Sequence, residues 1–178
     1  MSIQIQISDI VKLETDAIVN AANERLAQGS GVCGAIFAAA GPYEMNKACK
    51  VVGGCPTGDA VITSGFNLPS RYVIHAVGPK WNGGNHNEPS LLYGAYENSL
   101  KLALRYDLRT IASRSSQQAS TAILLKRLGG LLLKLVSTLM NLIKIMNSTS
   151  LSQCLTARTR SSEDPYFMNC YLSEDPRS

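Results

Sequence analysis

Residues 18–41 read IVNAANERLAQGSGVCGAIFAAAG. An apolar run enters this stretch, and a small-residue run with helical spacing leaves it at Gly41-Pro42, a helix stop signal. Asn20, Asn23 and a loop spaced by Gly29, Gly31 and Gly34 lie between the two. The entering segment, TDAIVNAA, reads as a fully buried strand. Ligands of open α/β sheets bind at the carboxyl ends of strands, which is where the two asparagines fall. An amide both donates and accepts, so it suits ribose hydroxyls. The glycines let backbone N–H groups approach a ligand and open the next helix N-terminus to phosphate. The loop alone is equally consistent with a Gly-rich turn capped by Asn.

The flanking sequence extends the pattern. Ile3, Ile5 and Ile7 alternate with polar residues, as in a half-buried strand. GDAVITSG and RYVIHAVG read as two further strands, and LRTIA, ending at Ala112, starts another. EPSLLYGAYENSLKLALRYD has helical spacing and offers Leu91, Leu92, Ala95, Leu100, Leu102, Ala103 and Leu104 to a core. Alternating strands and helices give an α/β class with a mixed, mostly parallel sheet.

Composition sets bounds. The 178 residues suffice for one domain with a core. Hydrophobic residues make up 45% and charged residues 17%, as in globular chains, and no apolar run approaches the roughly 18 residues of a membrane span. The N-terminus MSIQIQISDI lacks the basic start and apolar block of a signal peptide, so a cytoplasmic location is expected. Five cysteines with no CxxC pair argue against a disulfide framework or a zinc site. A net charge of +4 with no basic patch before position 112 argues against nucleic acid as a partner.

The ordered motifs SDI, DAIVNAAN, GSGVCGAIFAAAGP, CPTGDAVITSG and LPSRYVIHAVGPKW resemble the macro domain family, and most closely its bacterial ADP-ribose-processing members. The resemblance covers residues 1–112 and implies a three-layer α/β/α fold that binds ADP-ribose without a metal or cofactor. It implies that Asp9 accepts a hydrogen bond from the adenine amino group and that Ile10 adds a backbone contact. Asn23 would hold the distal ribose. Gly31, Val32, Cys33 and Gly34 would line the diphosphate and distal ribose, and Asn20 would tie loops together beside them. On residue type alone, Asp9 is equally a turn cap, and His75, in an apolar strand, reads as a core histidine. His86 and Trp81 read as surface loop.

Two departures from the family stand out. Many hydrolytic members carry Asp where this chain has Cys33 and His where it has Phe37. A thiol acts as a base only as the thiolate, which a helix N-terminus favours; otherwise Cys33 is a small apolar filler. The family also places a strand running into a second Gly-rich loop, FPxISTGxYGYP, just after Ala112. Here SRSSQQASTAIL follows instead, then a leucine-rich run with Gly129-Gly130 and a tail that repeats SEDP. One set of codons for Phe-Pro-Val-Ile-Ser-Thr-Gly-Ile-Tyr-Gly-Tyr-Pro, translated from its second base, gives Ser-Arg-Ser-Ser-Gln-Gln-Ala-Ser-Thr-Ala-Ile-Leu, which is residues 113–124. Residues 113–178 are therefore read as a frame-shifted segment, leaving the C-terminal third atypical or incomplete.

Three functions follow as expectations. The first is hydrolysis of an ester at the distal ribose, in O-acetyl-ADP-ribose or a mono-ADP-ribosylated protein, with Asn23 orienting the sugar and Cys33 as candidate base. The second is an ADP-ribose-binding module without turnover, which Cys33 and Phe37 favour. The third is a defective product of a frameshifted gene.

Overall fold

The computed structural model describes residues 2–80, 82, 85–114 and 121–126. Six strands form one sheet: β1 (Ser2–Ile7), β2 (Ala17–Ala21), β3 (Ala60–Ser64), β4 (Tyr72–Ala76), β5 (Thr110–Arg114) and β6 (Thr121–Lys126), in the order β1-β6-β5-β2-β4-β3. Strand β2 runs parallel to β4 and β5, and β3 runs antiparallel to β4. Strand β6 is antiparallel to both β5 and β1, so β1 points the same way as β5, β2 and β4. The sheet is mixed and the fold is α/β, with helices α1 (Gly31–Ala40), α2 (Pro42–Val52) and α3 (Glu88–Arg105).

The period-2 alternation of the strands makes three layers. Ile18, Val73 and Ala112 face a core built with Ile36, Phe37 and Ala40 of α1 and Met45 and Cys49 of α2. Ala17, Ala60, Ile74 and Ile111 face the opposite core, with Leu100 and Ala103 of α3. Within α3, Ala95, Leu100 and Ala103 are buried as the spacing implies, whereas Leu104 is exposed because it lies off that stripe.

The stop signal at Gly41-Pro42 marks a junction between helices. Gly41 takes φ +100°, closing α1, and Pro42 occupies the first turn of α2, where its missing N–H costs nothing. Helix α2 ends at Gly53 in the left-handed conformation, with its N–H bonded to the Cys49 carbonyl. Strand β5 extends through Arg114, and Thr121–Lys126 adds β6 within the segment read as frame-shifted. Most of residues 113–178, including the leucine-rich run beyond Lys126 and the SEDP repeats, lies outside the described residues, as does Trp81.

Candidate functional site

Because β1 and β2 point the same way, the segments that follow them leave the sheet at the same carboxyl end. A short 3₁₀ turn, Ile10–Lys12, follows β1 and packs against α1 and β5. Its cap is Asp9, which is exposed and accepts a hydrogen bond from Val11 N–H at 3.3 Å. The bond uses Oδ1, and a carboxylate has two accepting oxygens, so Asp9 can cap the turn and still accept from a ligand through Oδ2. Ile10 is buried in the α1/α2 core and anchors the turn.

Residues 22–30 connect β2 to α1. Asn23 is exposed, and its amide clamps this loop: Nδ2 donates to the Ala27 carbonyl at 2.7 Å, and Oδ1 accepts from Ala27 N–H at 3.1 Å. Leu26, buried at the bend, takes φ +53° and bonds the Asn23 carbonyl through its N–H. The loop is therefore shaped by its own amide and by one apolar anchor.

Helix α1 begins without a side-chain cap. Ser30 occupies the cap position and makes no side-chain bond to the helix. The first N–H groups of a helix lack intrahelical partners and carry the positive end of its dipole, so this turn suits an anion. Gly31 enters the helix at φ +60° with open space where a Cβ would be. Gly34 has the opposite reason for being glycine: a Cβ there would lie 2.7 Å from the Gly29 carbonyl oxygen. Val32 is half-buried beside them.

Beneath the turn lies a buried polar chain. Cys33, 9% exposed, accepts from Gly29 N–H at 3.4 Å and from Asn20 Nδ2 at 3.6 Å. Asn20 is fully buried, and its Nδ2 also lies 3.1 Å from His75 Nδ1. His75 Nε2 is 2.9 Å from Thr63 Oγ1, which donates to Met45 Sδ at 3.5 Å. Burial lowers the His75 pKa from 6.5 to about 4, so the ring is neutral near pH 7. Burial also pushes the Cys49 thiol up to about 11, and Cys33 nearby adds to the shift.

The structure thus places Asp9, Asn23, Gly31, Val32, Cys33 and Gly34 at the carboxyl end of the sheet, and Asn20 below them with no exposed surface. Phe37 is fully buried, with its ring edge-on to His75. His86 is on the surface beside the buried Glu88, away from this chain of contacts. The Asn20–His75–Thr63 chain is absent from the sequence reading, because the register that pairs Asn20 with His75 is not written in either strand alone. Among the described residues, no group of three His, Cys, Asp or Glu side chains could hold a metal, and no helix is long and apolar enough to cross a membrane.

Comparison with known proteins bears on this site. The Macro domain profile matches residues 19–114. A macro domain-containing protein of Chlorobaculum tepidum is 57% identical over 105 residues, which is 59% of this chain and 60% of the relative. One from Caldanaerobacter subterraneus is 51% identical over 132 residues, covering 72% of this chain and 75% of the relative. Among solved structures, an Oceanobacillus iheyensis macrodomain with ADP is 46% identical with a TM-score of 0.57, covering 61% of this chain and 60% of that one. A Trypanosoma brucei macrodomain in complex with ADP-ribose is 41% identical with a TM-score of 0.54, covering 61% and 44%. The match spans about three-fifths of the length of the Chlorobaculum, Methanosarcina and Ralstonia relatives.

Proposed function

Since the chain belongs to the Macro domain family, we propose that it binds ADP-ribose, with the diphosphate on the N-terminal turn of α1. The observation that carries this reading is the uncapped turn at Ser30–Gly31, where Gly34 admits the Gly29 carbonyl at a distance no side chain would allow. Asp9, on a turn that packs against α1, would accept from the adenine amino group. Neighbours of the same fold crystallised with ADP and with ADP-ribose support the ligand class.

Two finer readings divide on turnover. In the hydrolase reading, Asn23 orients the distal ribose of O-acetyl-ADP-ribose or of an ADP-ribosylated protein, and a base near α1 activates water. In the binding-module reading no turnover occurs. The second is favoured by one observation: Cys33 offers a thiol already engaged by Gly29 N–H and Asn20 Nδ2, and Phe37 is buried, so the first turns of α1 supply neither carboxylate nor imidazole. Incubating the chain with O-acetyl-ADP-ribose and following acetate release separates the two, since only the hydrolase reading requires multiple turnovers.

We propose further that residues 113–178 are translated from a shifted frame and replace a second Gly-rich phosphate loop. The match between residues 113–124 and an out-of-frame version of that loop supports this. The 72% coverage by the Caldanaerobacter relative weighs against it, because that share runs past Arg114. Sequencing the gene across this boundary decides the matter. A cytoplasmic location fits the free thiols of Cys33, Cys49 and Cys55.

A further inference from the structure

The buried chain under α1 has two self-consistent hydrogen-bond patterns. In one, His75 carries its proton on Nε2, and Nδ1 accepts from Asn20 Nδ2. In the other, the proton is on Nδ1, and the Asn20 amide is turned so that its oxygen faces both His75 and the Cys33 thiol. Thr63 is compatible with the first: its oxygen, 2.9 Å from His75 Nε2, can accept from Nε2–H while its hydroxyl points to Met45 Sδ at 3.5 Å. Nδ1 is then the acceptor, and the two Asn20 N–H groups are directed at His75 and Cys33. The one buried side-chain oxygen or nitrogen left without a partner among the described residues is then Asn20 Oδ1. An unpaired carbonyl-type acceptor is less costly than the unpaired amide donors of the alternative pattern.

We infer that His75, bonded to Thr63 through its Nε2–H tautomer, is a positioning residue for the ligand loop. It fixes the Asn20 amide, and Asn20 together with Gly29 N–H holds Cys33 Sγ. Cys33 lies in the first turn of α1, and Gly29 supplies the carbonyl packed against Gly34. Orientation set on β3 and β4 is thereby transmitted to the path of Gly29–Cys33. The groups facing His75 come from β2 (Asn20), β3 (Thr63), α1 (Phe37) and α2 (Cys49, with Sγ 3.9 Å from Nε2). If Thr63 stops accepting, the Cys49 thiol can donate to Nε2. The ring then moves its proton to Nδ1 and Asn20 must turn.

This role rests on reading the α1 turn as the diphosphate site, and the test separates the two claims. The full chain and its Thr63→Val and His75→Gln variants are compared by histidine-ring and amide ¹⁵N NMR, and by calorimetry with ADP-ribose and with adenosine. His86→Gln assigns the ring signals, since the chain has two histidines. The parent should show the Nε2–H ring. Thr63→Val, nearly the same shape, should move the proton to Nδ1 and shift the Gly29 and Cys33 amides. It should weaken ADP-ribose by about tenfold, the equivalent of one hydrogen bond, with adenosine unchanged. His75→Gln, which can both accept from Asn20 and donate to Thr63, should stay closer to the parent. An Nδ1–H ring in the parent, unmoved Gly29–Gly34 amides in Thr63→Val, or equal loss of both ligands would overturn the inference. If the parent binds no ADP-ribose but the ring and amide shifts appear, the ligand reading fails and the loop-positioning role stands.

Discussion

Asn20 and His75 sit opposite each other on the parallel strands β2 and β4 and are joined by a 3.1 Å contact between Asn20 Nδ2 and His75 Nδ1. Both face the α1/α2 core, both are fully buried, and the contact ties the strand before the ligand loop to the strand beside it. A polar pair in such a place contributes only while both partners keep their hydrogen bonds.

Acid should expose this dependence. The His75 pKa falls from 6.5 to about 4 on folding. Above pH 6.5 the ring is neutral in both states and its contribution is fully present. Between pH 6.5 and 4 the unfolded chain takes a proton that the folded chain refuses, so stability falls as pH falls. Across that window the loss is about 3 kcal/mol. Urea denaturation at several pH values should show this slope in the parent and a flatter one in His75→Gln; parallel slopes would contradict it.

Glycine substitutions in the loop should differ by position. Ala at Gly34 puts a Cβ 2.7 Å from a backbone oxygen, so the Gly29 turn must move, at a cost of roughly 1–3 kcal/mol and with it most ADP-ribose affinity. Ala at Gly31 meets open space and bears only the left-handed φ, about 1 kcal/mol. Melting curves and titrations of the two variants should rank Gly34→Ala as the worse in both.

Asp9→Ala should remove a cap bond to Val11, costing about 1 kcal/mol of stability. If Asp9 reads adenine, it should also weaken ADP-ribose by roughly 1.5–3 kcal/mol while leaving ribose-5-phosphate less affected. Equal losses for the two ligands in calorimetry would leave Asp9 as a cap alone.

Asn23→Ala releases both bonds to Ala27 and should loosen the loop, lowering ADP-ribose affinity and any turnover of O-acetyl-ADP-ribose. Cys33→Ala should retain turnover, where any exists, to within several-fold. A drop of orders of magnitude would make Cys33 the base or nucleophile.

How much of this was legible in the sequence varies by element. The layers were, because Ile18 and Val73 on one side and Ala17 and Ile74 on the other follow a period of two. Asp9, Asn23 and the loop glycines were singled out by motif and by strand-end position, and the structure sets them at the carboxyl end of the sheet. Helix α2 was not, because Gly41-Pro42 reads as a stop when it is a junction: proline suits a first helical turn as well as a break. The 3₁₀ turn after Asp9 was too short to carry a period. Strand β6 was missed because TAILLK has a short continuous apolar run instead of alternation, which period alone does not assign to a strand, and because its partner β1 lies more than a hundred residues away. Asn20's buried contacts required the β2–β4 register.

The central claim is that the N-terminal turn of α1, assembled with Asp9 and Asn23, makes this chain an ADP-ribose binder. Its most direct test is a calorimetric titration of ADP-ribose into the 178-residue chain, run beside the same chain with the second loop restored in its alternate frame. The account predicts saturable one-to-one binding by both. It predicts the restored chain to be tighter by roughly a hundredfold, because several backbone N–H groups would then reach the diphosphate. Equal affinities would remove the frame-shift reading alone. Absence of binding by either chain at millimolar ADP-ribose would contradict the claim itself.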